Sequence, residues 1–144
     1  MIVRAVQPAD RHAWQQMRAA LWPDDDYETS IAAYLAAPDP AVVTLIAFDL
    51  EQNPVGFAEI GTRAYAEGCE TSPVAFLEGW YVIPEARGAG VGRALVAAAE
   101  DWARSKGLRE LGSDTELHNE SAIQVHKALG FEETERIVCF LKRL

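Results

Sequence analysis

The sequence predicts a mixed α/β fold in a single domain spanning residues 1–144. Three observations predict it. Short β-branched, apolar runs recur along the chain, and such runs read as strands. Between them lie longer runs whose apolar residues repeat every three or four positions, the spacing of one helix face. The two kinds of segment follow in the order βααβββαβαβ, with no repeats, low-complexity tracts or linkers. A length of 144 residues suits one domain, and 49% apolar content suits one ordinary core.

Ile2–Val6 alternates and is β-branched, so it opens the chain as a strand. Ala13, Met17 and Leu21 recur at helical spacing beside Trp14, predicting a helix from about Ala9 to Leu21. The following WPDDDYE breaks it, and Asp26 can cap a second helix from about Tyr27 to Ala37. Pro38 and Pro40 stop that helix. Val42–Asp49 reads as a buried strand, and EQNP turns it into a second strand through VGFAEIGTRAY. A loop carrying Gly68 leads to the strand Val74–Val82. A glycine loop follows, then a helix with Val91, Leu95, Ala98 and Trp102 on one face. Leu108–Asp114 is a short strand, Asn119–Leu129 a helix ended by Gly130, and RIVCFLKRL a last strand.

Composition narrows the function. The formal net charge is −9 at pH 7, which argues against nucleic acid as partner and fits a cationic one. No run approaches the roughly 18 apolar residues of a membrane span, and the first residues, MIVRAVQPADRH, carry no apolar signal segment, so neither a membrane nor export is expected. Cys69 and Cys139 are far apart and form no metal-type pair. They read as free thiols in a reducing cytoplasm, and no metal is expected.

The stretch PEARGAGVGRALV places Gly88, Gly90 and Gly92 at alternate positions between Arg87 and Arg93, directly before a helix. A helix N-terminus presents unpaired N–H groups and partial positive charge, and glycines let a phosphate approach them. A P-loop is excluded, because no Gly-Lys-Ser/Thr occurs. A dinucleotide fingerprint fits poorly: the spacing is G-x-G-x-G, and Pro84–Arg87 separates it from the strand. Asp114, at the end of the next strand, keeps a nucleotide-binding reading open.

Arg87-x-x-Gly90-x-Gly92, after a strand and opening a helix, resembles the acyl-CoA loop of the GNAT acetyltransferases. The downstream NESAIQVHKALGF (Asn119–Phe131) resembles that family's second motif. Together with the element order, the resemblance covers nearly the whole chain. It implies a mixed, mostly antiparallel central sheet flanked by about four helices. It also implies acetyl-CoA as cosubstrate, with its pyrophosphate on backbone N–H groups across Gly88, Ala89, Gly90, Val91, Gly92 and Arg93. Arg87 and Arg93 would add charge-assisted bonds. Trp80, Tyr81 and Val82 would offer backbone groups to the pantetheine arm, one N–H polarising the thioester carbonyl.

Within that family the chain is similar to the aminoglycoside 6′-N-acetyltransferases through LWP (Leu21–Pro23), TSPVAFLEGWYV (Thr71–Val82), SDT (Ser113–Thr115) and VHKALGFEETERI (Val125–Ile137). The similarity implies an acidic pocket for a polycationic amine, made of Trp22, Tyr65, Glu78, Asp114, Asn119 and Glu135. Carboxylates suit ammonium groups, amides suit hydroxyls, and aromatics suit sugar faces or cations. Each residue also has a plainer reading: Trp22 as core, Tyr65 as loop, Glu135 as a solvated strand residue, Asp114 as a turn, Glu78 as half of a structural salt bridge. Asp24–Asp26 reads as a solvated loop with a helix cap. A homodimer is implied as well, and the apolar C-terminal strand can join its interface.

The implied reaction is direct acetyl transfer to a primary amine. No Ser-His-Asp or Cys-His arrangement is evident, so no acetyl-enzyme is expected. Glu78 or Asp114 would take the ammonium proton, directly or through water. Yet nearby carboxylates also raise the amine's pKa, so binding and deprotonation oppose one another. The position where many GNAT members carry a tyrosine beside the departing thiolate is His126 here. It is as readily structural as a general acid. Acetylation of another small amine or a protein amine, or a non-catalytic acyl-CoA sensor, are the alternatives, because this fold serves many acceptors.

Overall fold

A computed structural model describes residues 1–144. Its elements, in order, are β1 (Ile2–Ala5), α1 (Arg11–Leu21), α2 (Tyr27–Ala36), β2 (Val43–Phe48), β3 (Pro54–Arg63), β4 (Val74–Val82), α3 (Val91–Ser105), β5 (Leu111–Ser113) and α4 (Glu120–Ala128). A single sheet runs β1-β2-β3-β4-β5. The first three pairings are antiparallel, and β4–β5 is parallel.

The sheet is covered on both faces. On one face, Leu45, Ala58, Ile60, Ala75 and Leu77 pack against Val91, Leu95, Val96, Ala99 and Ala103 of α3. On the other, Ile46, Phe48 and Phe57 meet Trp14 and Met17 of α1 and Ile31 of α2. This double burial explains why all six residues of β2 are buried and why its sequence shows no polar alternation. Leu95, fully buried under the sheet, is the type of side chain whose loss to Ala costs about 2–5 kcal/mol.

Helix ends follow their local chemistry. Asp26 caps α2 by accepting the Thr29 N–H, and Asn119 caps α4 by accepting that of Ala122. The first helix starts later than predicted, at Arg11, because Pro8–Asp10 forms a tight 3-10 turn. There Asp10 is buried, accepting from the Gln7 N–H at 2.7 Å and from Arg4 at 2.7 and 3.0 Å. These bonds hold the Asp10 carboxyl below the usual carboxylate range, the Arg4 side chain being the largest cause and burial opposing it.

Two features of β4 shape its surroundings. Glu59 faces Gly79 and Ile60 faces Leu77, so Glu78 is an extra residue in a β-bulge. In addition, β5 pairs only with Ala75–Leu77. Beyond Leu77 the two parallel strands part, leaving Glu78–Val82 without a neighbour on that edge.

One predicted element is corrected. RIVCFLKRL forms no strand: residues 131–144 carry no regular structure, and Val138, Phe140 and Leu141 are exposed at 72%, 92% and 76%. The segment has the composition of a strand, but strand formation needs a ladder partner, and within one chain none is paired with it. The short strand predicted over Leu108–Asp114 is likewise trimmed to Leu111–Ser113.

Candidate active site

The parting of β4 from β5 opens a cleft, and α3 points its N-terminus at the same end of the sheet. Gly90 is the N-cap of α3 at φ +85°, and Gly88 sits at φ +78°. Both lie in the left-handed region that favours glycine. A β-carbon on either would meet nothing within 4 Å, so the loop presents open backbone. Ala94 donates to Gly90 O, leaving the N–H groups of Val91, Gly92 and Arg93 without helical acceptors. Arg87 is anchored by its Nε bond to Val82 O at 3.0 Å, and Arg93 is exposed. An anionic group therefore fits here on backbone donors and positive charge. Gly92 also serves packing: the space where its side chain would stand is filled by the Trp80 ring. The Trp80 indole N–H is buried there without a partner.

Across the cleft, a hollow of about 620 Å³ is lined by Arg18, Trp22, Asp24, Asp25, Glu59 and Glu78 among others. The Trp22 ring lies against Gly79, where any β-carbon would collide with it. Trp22 is thus set at the mouth of the cleft by the smallest residue of β4. Glu78 is exposed, not buried as its apolar strand implies, because the bulge turns it outward. Arg63 holds both of its oxygens, Nε to Oε1 at 2.9 Å and Nη2 to Oε2 at 2.6 Å. The expected structural salt bridge exists, and it sits inside the acidic hollow's rim.

The remaining predicted residues spread along a second groove or stand apart. Asp114, His126 and Glu135 line a groove of about 860 Å³ beside β5. Asp114 lies within electrostatic reach of Arg63, which links it to Glu78. Asn119 spends its side-chain oxygen on the α4 cap, and Tyr65 is 65% exposed. His126 is fully engaged: Nδ1 bonds Ala122 O at 2.7 Å, and Nε2 meets the Ser113 hydroxyl at 2.8 Å. Its ring stands edge-on to Trp80 and Phe131, at 5.6 and 5.2 Å. Since a carbonyl only accepts, Nδ1 carries the proton and Nε2 accepts from Ser113 when the ring is neutral.

Sequence reasoning missed two residues that line the hollow and a third that pairs with Glu78 on its rim. Glu59 accepts from Trp14 Nε1–H at 2.9 Å and lies 3.5 Å from Arg18 Nε. Burial pushes its carboxyl up, against the pull of Arg18 and the Trp14 N–H, with Asp25 and Glu78 adding to the rise. Arg18 also pairs with Asp25 at 3.1 Å and lies over the Trp22 ring at 5.4 Å. Arg63 is the third. One available signal was the lone acid in the apolar run VGFAEIG, a strand position where only a paired or functional carboxylate survives.

Known proteins share this fold and much of this sequence. A profile of the Acetyltransferase (GNAT) family matches residues 7–131. An aminoglycoside N(6′)-acetyltransferase type 1 from Klebsiella aerogenes is 47% identical over 99% of this chain and 97% of its own length. One from Stenotrophomonas maltophilia is 50% identical over 96% of this chain and 90% of its own. Among solved structures, AAC(6′)-Iy in complex with a bisubstrate analogue, CoA-S-monomethyl-acetylneamine, superposes with a TM-score of 0.92 at 38% identity, covering 99% of this chain and 98% of that one. The aminoglycoside 6′-N-acetyltransferase AAC(6′)-IG from Acinetobacter haemolyticus gives 0.92 at 34% identity, covering 100% and 99%. The chain therefore belongs to the GNAT acetyltransferase family and, within it, to the group of the aminoglycoside N(6′)-acetyltransferases.

Proposed function

We propose that this protein moves the acetyl group of acetyl-CoA to the 6′-amine of aminoglycoside antibiotics, and so confers resistance to them. One observation carries the reading: an open cradle of backbone donors at Gly88–Arg93 and an acidic, Trp22-walled hollow flank the stretch of β4 that has no neighbour on its β5 side. The first suits a pyrophosphate, the second a polycation, and the edge of Glu78–Val82 lies between them.

The residues divide the work. Gly88, Ala89, Gly90, Val91, Gly92 and Arg93 hold the pyrophosphate, with Arg87 adjacent. Backbone groups of Trp80, Tyr81 and Val82 align the pantetheine arm, and an N–H there polarises the thioester carbonyl. Trp22, Glu78, Glu59 and Asp114 receive the drug's reacting ring and ammonium groups, while Tyr65, Asn119 and Glu135 meet its farther end. The amine's lone pair forms the C–N bond as the C–S bond breaks, and coenzyme A leaves as the thiolate. Before the attack, Glu78 or Asp114 takes the ammonium proton, directly or through water, and the second proton, shed by the nitrogen as the amide forms, goes to the departing thiolate or to solvent. No metal enters this scheme.

The reading extends to assembly and place. Residues 137–144 have strand composition, exposed apolar side chains and no strand partner in their own chain, and they border the groove beside β5. A second copy supplies what they lack, so the protein is a homodimer in which this segment packs on its partner. Its free thiols, Cys69 and Cys139, suit the cytoplasm.

The test is coenzyme A release across a panel of 6′-amino aminoglycosides, 6′-hydroxyl analogues and linear polyamines, with the product's acetylated position read by NMR. Turnover of 6′-amino drugs with acetylation at that nitrogen is expected. Turnover of polyamines or peptides alone marks an enzyme for another amine, and tight acetyl-CoA binding with no turnover marks a sensor.

A further inference from the structure

We infer that Arg63 is a positioning residue for acetyl transfer: its guanidinium fixes the Glu78 carboxylate that receives the acceptor ammonium and sets a positive charge beside it that favours loss of the ammonium proton. The inference rests on the acetyl-transfer reading and adds a residue to it.

The geometry is that of a built device. Arg63 ends β3, and its guanidinium is clamped by two bonds to Glu78 in the β4 bulge. The same group lies over the Phe76 ring, its Cζ 3.6 Å from the ring centroid, so it is held from a second direction. Gly61, also on β3, leaves the space that the Glu78 side chain occupies; a β-carbon there would stand 3.2 Å from Oε1. Bulge, glycine, ring and guanidinium together fix one orientation of one carboxylate. Each carboxylate oxygen has two acceptor positions, so Glu78 keeps a free one for a substrate N–H on each side of the Arg63 fork.

Charge then follows from position. An ammonium bound to Glu78 alone is stabilised in its charged, unreactive form. An ammonium bound to a carboxylate already paired with a guanidinium meets a nearly neutral partner and, a few ångströms further, a cation. Two like charges about 6 Å apart shift a titration by about half a pH unit in bulk water and by about two near a protein surface. This half-exposed pair is expected to shift it by about one. Arg63 thus offsets the cost that an acidic pocket imposes on deprotonation. The groups facing it are Glu78 from β4, Asp114 after β5 and Glu67 from the loop after β3. The neighbouring carboxylate, Glu59 of β3, is faced by Arg18 of α1, Trp14 and Asp25, so that side of the hollow already has its own cation.

The experiment compares wild type, Arg63→Gln and Arg63→Lys as full chains. Each is checked for folding by circular dichroism and for acetyl-CoA affinity by calorimetry. The single-turnover rate of acetyl transfer to saturating kanamycin is then measured across pH. In wild type the rate rises with pH through one inflection. In Arg63→Gln that inflection moves up by about one pH unit, so the rate near neutrality falls about tenfold while the alkaline plateau is kept. Arg63→Lys returns the inflection most of the way, because it restores charge without the fork. An unmoved inflection in Arg63→Gln, or a rate loss equal at every pH, overturns the inference while leaving the enzyme's function standing. A wild type that acetylates no aminoglycoside sinks the functional reading and this inference with it.

Discussion

At Gly90 the backbone stands at φ +85° with open space where a side chain would be, so two substitutions separate strain from charge. Gly90→Ala adds only the left-handed strain of a non-glycine residue, about 1–2 kcal/mol. Gly90→Asp adds a negative charge where a pyrophosphate approaches, on a residue that tolerates that conformation better than most. Acetyl-CoA affinity by calorimetry should fall in the Asp variant by about tenfold or more beyond the Ala variant, one charge repulsion of about 1.4 kcal/mol. Equal affinities would remove the phosphate from this loop. His126 is the opposite case, a residue whose neighbours already explain it. Both ring nitrogens are bonded within the protein, one to Ala122 O and one to Ser113, so neither is left free to protonate a leaving thiolate. The thiol of coenzyme A has a pKa near that of free cysteine, about 8.5, and leaves without much help. His126→Gln should therefore lower kcat by less than about tenfold, below the usual contribution of a general acid. A greater loss in a folded variant with normal acetyl-CoA affinity would assign the proton to His126.

At the scale of elements, legibility tracked where the information lies. Val74–Val82 and the helix after the glycine loop were read with little error, because a buried strand and an amphipathic helix announce themselves in their own side chains. The cleft itself was not visible, since it arises from β5 ending at Ser113 while β4 continues to Val82, a relation between strands far apart in sequence. The partner of Glu78, Arg63, and the whole Arg18–Glu59 pair were missed for the same reason: a charge pattern along the chain does not say which charges will meet. The C-terminal segment is the converse error. Its strand pattern was real, but a strand needs a ladder partner, and none of the five strands of its own chain pairs with it. If that edge belongs to a second copy, removing residues 137–144 should convert a dimer into a monomer by analytical ultracentrifugation. Exposed apolar surface should fall in the truncated chain relative to an isolated full-length monomer. A full-length chain that sediments as a monomer at micromolar concentration would refute the pairing.

The whole molecule carries a net charge of −9, yet it must bind two partners of opposite sign. On the proposed reading, a polycationic drug is drawn by the summed field, while acetyl-CoA is repelled by it and held by the local donors of the α3 N-terminus, its flanking arginines and the β4 backbone. Salt should separate the two. Fields between exposed charges reach about 30 Å at 0.01 M ionic strength and about 8 Å at 0.15 M. Long-range attraction of the drug is thus largely screened at the higher salt, whereas contacts inside the Trp22–Glu78 hollow survive. Raising ionic strength across that range at fixed pH should lower kcat/KM for a tetracationic aminoglycoside by about threefold or more, mostly through KM. The KM for acetyl-CoA should stay level or fall, because screening weakens its repulsion. A less charged drug of the same ring type should show a shallower slope, since the attraction scales with its charge. Parallel slopes for drug and acetyl-CoA would mean that salt acts on the fold. A flat response for the drug would mean that capture depends only on the carboxylates it touches and that the molecule's overall charge plays no part.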